Sequence, residues 1–98
     1  MIKHIVMFRI KGVGETKIKN INTFKDRLDE LKNKISVVRC LETGINTSTS
    51  KSAFDLVLIT QFDSEHDLDV YRNHSDHQKI VDLIKDIVSE VAVVDYSI

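Results

Sequence analysis

The chain has 98 residues, a formal net charge of −1 and 42% hydrophobic residues. That length suits one compact domain spanning 1–98, the apolar content argues against disorder, and the dispersed Lys and Arg lack the basic stripe that a nucleic-acid partner needs. No apolar run is long enough to cross a bilayer and residues 1–11 carry no signal-peptide pattern, so a cytoplasmic protein with no membrane partner is expected. The single Cys40 cannot form an internal disulfide; it lies in an apolar stretch and is expected to pack as a small hydrophobe.

Residues 2–11 read as a strand rich in β-branched and aromatic side chains, ended by Gly12 and Gly14. From about Glu15 the period changes. Ile18, Ile21, Phe24, Leu28, Leu31 and Ile35 recur at three- and four-residue steps, which predicts one long amphipathic helix with a buried stripe. Val37 to Ile45 returns to strand character, Asn46 to Ser52 is a polar turn, and Phe54 to Phe62 is a second strong strand. A helix is predicted from Asp63, with Ser64 as N-cap, Leu68 and Tyr71 facing inward, and a break near His74. Ser75 with Gln78 three residues later looks like the capping box of a further helix that buries Ile80, Leu83, Ile84 and Ile87. Glu90 to Ser97 is the last strand.

The order β-α-β-β-α-β is the split-βαβ, ferredoxin-like α+β arrangement, with the first strand central and antiparallel to the last. Three strand runs, Ile5 to Phe8, Leu56 to Ile59 and Val91 to Val94, are apolar at both parities. Strands read this way when both faces of the sheet are covered. Helices cover one face and nothing in the chain covers the other, so a second copy, sheet against sheet, is expected: a homodimer forming a two-subunit barrel.

The stretch Tyr71 to His77 holds a phenol and two imidazoles across the helix break, in a chain with four histidines and two tyrosines. Such side chains move protons near neutral pH. The topology also sets His4, near the start of the first strand, beside Asp95, near the end of the last. An Asp that accepts from one imidazole nitrogen fixes the tautomer and leaves the other nitrogen as a base. With Tyr71 donating to an enolate oxygen, the group suits proton abstraction beside a carbonyl.

Three segments carry a family resemblance: Lys3-His4-Ile5-Val6-Met7-Phe8-Arg9, the cassette Tyr71-x-x-His74-x-x-His77, and Val94-Asp95-Tyr96. Together they resemble the stress-responsive dimeric α/β-barrel domain family over essentially the whole chain. The resemblance implies a dimeric barrel of ferredoxin-like subunits, and most members of that family have no assigned activity. One member type, the plant polyketide cyclase that forms olivetolic acid, closes a ring by an aldol step without metal or cofactor. Its catalytic pair would fall on Tyr71 and His77, a pocket histidine on His4, and the aspartate that orients the catalytic imidazole on Asp95. The chain departs from it where Leu56 replaces a pocket histidine and Leu28 falls near a pocket tyrosine.

The expectation is a small organic ligand held between sheet and helices, with Tyr71 and His77 as catalytic candidates and His4, Asp95 and His74 as ligand-binding or supporting ones. No cofactor is expected. No metal is expected either, because His74 and His77 share a face only if helix runs through both, and a third ligand is lacking. Gly12-Val13-Gly14 lacks the rest of a phosphate loop, and no Gly-x-Ser-x-Gly nucleophile motif is present. Two other readings stay open: a non-catalytic structural or stress-protective dimer, and a cofactor-free monooxygenase-like enzyme.

Overall fold

The structure is a computed structural model that describes residues 1–98. Its elements run β1 (Ile2–Ile10), α1 (Gly14–Asp29), α2 (Leu31–Lys34), β2 (Cys40–Ile45), β3 (Leu56–Phe62), α3 (Glu65–Asn73), α4 (Ser75–Ile84) and β4 (Val88–Ser97). The four strands form one antiparallel sheet in the order β2-β3-β1-β4, the ferredoxin-like arrangement. No helix is long and apolar enough to cross a membrane.

Alternation along the strands sorts the two faces of the sheet. Ile2, His4, Val6, Phe8 and Ile10 of β1 and Leu56, Leu58, Thr60 and Phe62 of β3 are buried beneath the helices. Phe24, Leu28, Leu31 and Ile35 close over them, followed by Val38, Leu68 and Tyr71. The opposite face has no helix on it. Met7, Val94 and Tyr96 there are 36%, 56% and 42% exposed, beside the half-buried Ile5, Val57 and Ile59. The flank thought to lack cover is therefore apolar and uncovered by the chain itself.

Several local expectations change. The long helix breaks at Glu30 into α1 and α2, and Ile18 is 59% exposed because the first turns of α1 run beyond the packed core. The strand expected from Val37 begins only at Cys40, and Cys40 is exposed. Its β3 partner is Gln61, so the pleat turns its thiol to the uncovered face on an edge strand instead of into the core. None of α4 is fully buried, since Ile80, Val81 and Ile84 border a cleft and not a sealed interior; Leu83 lies outside that cleft and is 41% exposed.

Candidate active site between the sheet and the helix break

The helix break builds the site. The Ser64 hydroxyl accepts from Asp67 N–H at 3.2 Å and starts α3 as expected. The expected cap of α4 shifts by one residue. His74, with extended backbone at φ −66° and ψ 140°, is the N-cap, and its Nδ1 accepts from Asp76 N–H at 3.1 Å. An acceptor at N-cap satisfies an orphan amide whatever ring carries it, and an imidazole does so here in place of Ser75. The Gln78 amide instead donates to the Arg72 carbonyl at 2.8 Å, tying the first turn of α4 to the last turn of α3.

This joint sets the Tyr71 and His77 rings against each other, with centroids 4.6 Å apart and planes tilted by 59°. Tyr71 is wholly buried, also touching Phe62 at 5.0 Å and His4 at 6.2 Å between centroids. Below the helices, β1 and β4 place His4 opposite Asp95 in register, and His4 Nδ1 hydrogen-bonds Asp95 Oδ1. The other carboxylate oxygen accepts from the Arg72 guanidinium at 2.6 Å. The imidazole that Asp95 holds is thus His4, and His77 Nδ1 has no partner.

These groups stand at one end of a cleft of about 380 Å³, a size ordinary for a small-molecule site. His4, Tyr71, Arg72, Asn73, His77 and Gln78 make its polar end. The rest is apolar, with Val6, Phe8, Phe24, Leu28 and Leu58 beneath, Ile80, Val81 and Ile84 above, and Val91 and Val93 along the open side. Val91 and Val93 are 47% and 51% exposed although they point to the helix-bearing side. The helices leave β4 bare, and that opening is the mouth.

Two buried polar atoms in this structure lack any hydrogen-bond partner, Tyr71 Oη and His77 Nδ1, and both belong to residues lining the cleft. Burial pushes the Tyr71 phenol up, so it stays protonated and can only donate or accept as a neutral hydroxyl. Burial also pulls the His77 imidazole below its ordinary value, reinforced by nearby His4, Arg72 and His74 and partly opposed by the Arg72 main chain. At pH 7 His77 is therefore neutral. A neutral imidazole beside a neutral phenol is a base and a donor within one enclosed space.

A family model for the stress responsive A/B barrel domain, Dabb, matches residues 2–98. The chain belongs to this Dabb family. No curated protein matches it. Among solved structures it resembles a dimeric protein of unknown function with a ferredoxin-like fold from Bacteroides fragilis, at 30% identity, TM-score 0.88, and coverage of 99% of this chain and 95% of that one. A dimeric ferredoxin-like protein of unknown function from Thermobifida fusca matches at 19% identity and TM-score 0.84, covering 99% and 90%. The hydroxynitrile lyase of Passiflora edulis shares the fold at 17% identity and TM-score 0.84, covering 99% and 92%.

Of the residues singled out from the sequence, this Dabb domain brings His4, Tyr71 and His77 together around the cleft, with Asp95 behind His4. His74 is not among the lining residues; it is spent on the α4 cap. Sequence reasoning passed over Arg72, which follows Tyr71 directly. Its i, i+3 spacing to Asp69, now an ion pair at 3.5 Å, was the available signal that the side chain runs along the edge of α3. No cluster of His, Cys, Asp and Glu fit to hold a metal ion forms.

Proposed function

We propose that this Dabb domain binds a small carbonyl compound in the cleft and moves a proton beside its carbonyl group without a cofactor. The observation that carries the reading is the pair of unpartnered buried atoms, Tyr71 Oη and His77 Nδ1, on adjoining rings in an otherwise apolar pocket. Buried polar groups ordinarily find partners, and two orphans at one spot fit a site whose partner arrives with the ligand. Neutral His77 takes the proton from the carbon beside the carbonyl. Tyr71, which stays a neutral phenol, donates a hydrogen bond to the developing enolate oxygen. Return of the proton to another carbon isomerises the compound; attack of the enolate carbon on a second carbonyl closes a ring, and the proton goes to the new alkoxide. A relative of the same fold named as a lyase supports this scaffold as a carrier of chemistry.

The working unit is proposed to be a homodimer. The uncovered apolar face supports it, as do structural relatives described as dimeric.

The test is deuterium incorporation from heavy water into 4-phenylbutan-2-one, followed by proton NMR. The protein should accelerate exchange at the carbons beside the carbonyl, and His77→Ala should return it to the buffer rate. Equal rates for wild type and His77→Ala would leave a binding or purely structural cleft and end the catalytic reading.

A further inference from the structure

Arg72 stands between two hollows. On one side is the apolar cleft. On the other is a polar hollow of about 320 Å³ lined by Ile2, Leu68 and Tyr96 and by the carboxylates of Glu65, Asp69 and Asp95. Arg72 lines both, and it is the one Lys or Arg side chain that lines either. Its guanidinium is already engaged by Asp95 at 2.6 Å and by Asp69 at 3.5 Å. Two carboxylates thus engage the guanidinium that separates the cleft from the hollow, a third, that of Glu65, lines the same hollow, and Asp95 also holds His4 from behind.

The uncommitted polar groups here are of a different kind. Tyr71 offers a hydroxyl and His77 a ring nitrogen, while the rim amides of Asn73 and Gln78 already donate to the main-chain carbonyls of Asp69 and Arg72. None carries the fixed positive charge that a carboxylate needs once it leaves water. A carboxylate head placed beside Tyr71 would lie in the field of the acidic hollow with the neighbouring cation already paired.

From this we infer that the cleft selects an uncharged carbonyl head, a ketone or aldehyde on an apolar body, and rejects the corresponding carboxylate, with Glu65 and Asp69 as the residues that set this specificity. The inference rests on the reading of the cleft as a ligand site. It adds a substrate class and a pair of residues outside the proton-transfer machinery.

The test pairs two probes of one skeleton, 4-phenylbutan-2-one and 4-phenylbutanoate, measured by calorimetric titration at pH 7.5 and low salt. In the wild type the ketone should bind at least about tenfold more tightly than the carboxylate. In Glu65→Gln/Asp69→Asn the carboxylate should gain most of that factor while the ketone stays unchanged, and each single variant should give part of the gain. Added salt should narrow the wild-type gap, because the hollow is open to solvent. Circular dichroism checks the fold of each variant; should the double variant not fold, the single ones decide. A carboxylate that binds the wild type as well as the ketone does, or a gap untouched by the variants, overturns the inference and leaves the ligand site standing. Binding of neither probe overturns both the inference and the site.

Discussion

Tyr71→Phe should make the folded protein more stable while impairing what the cleft does. The change removes one oxygen and no carbon. Tyr71 is wholly buried, packed between Phe62 and His77, so a phenyl ring fills the same space. Its hydroxyl has no hydrogen-bond partner in the folded chain, whereas the unfolded chain hydrates it. A buried polar group left unpaired costs about 1–3 kcal/mol, so deleting it should return about 1 kcal/mol or more. For a domain of this size 1 kcal/mol moves the melting temperature by about 4–8 °C. A hydroxyl with a native partner gives the opposite sign, a loss of about 1 kcal/mol, so the direction alone decides. Urea unfolding at one fixed protein concentration is the assay, read as the midpoint at unchanged slope. The same variant should slow deuterium exchange into 4-phenylbutan-2-one, separating stability from function. A midpoint below wild type would show that the hydroxyl is satisfied in the folded state. The reasoning from orphaned atoms would then fail at its first residue.

The His77 imidazole, held low by burial, gives a pH prediction. As pH falls, the unfolded chain takes up this proton first, at the ordinary histidine value, while the folded chain resists. Stability is therefore full above that value and declines as pH drops through the lowered folded one. The urea midpoint should fall between pH 7.5 and pH 5.5, and His77→Ala should flatten part of that fall. Asp95→Asn leaves buried His4 without its carboxylate and frees Arg72, and should cost about 1–3 kcal/mol by urea unfolding. Val94→Glu puts a charge on the uncovered apolar face and should shift light-scattering mass toward the monomer at micromolar concentration, with α-helical circular dichroism retained. A mass equal to wild type would remove that face from the contact.

The sheet was legible because its logic is local parity plus topology. His4 and Asp95 meet because antiparallel neighbours must set the start of one strand beside the end of the other, and the register pairs them directly. Ser64 was legible as a cap, since Ser with extended backbone is the ordinary solution. His74 was not, because its capping depends on a rotamer that no spacing rule encodes. Cys40 was misplaced for a related reason. An apolar run shows that a strand is buried on some face, but the pairing with Gln61 decides which face each residue takes. In the site, the closeness of Tyr71 and His77 could be guessed from six residues across a break. The role of Arg72 could not, since its Asp69 contact is local to α3 but the Asp95 that ties it to the site comes from β4, brought there only by the tertiary fold.

The two open surfaces of this sheet ask for different occupants, and side-chain chemistry separates them. On the helix-free face Ile5, Met7, Val57, Ile59 and Val94 lie side by side, with no orphaned buried polar atom among them. Such a surface is satisfied by another apolar surface and specifies little beyond shape, which a second copy of the chain supplies at no cost in new sequence. The cleft beneath α4 is apolar along most of its length but ends in an unpartnered hydroxyl and an unpartnered ring nitrogen. A second hydrophobic surface pushed into it would leave those two buried atoms unpaired, with the cost of about 1–3 kcal/mol each unrelieved. A small molecule with an apolar body and a carbonyl oxygen satisfies the hydroxyl and leaves the nitrogen free to take a proton. The same accounting that sends a protein to one face therefore keeps it out of the other.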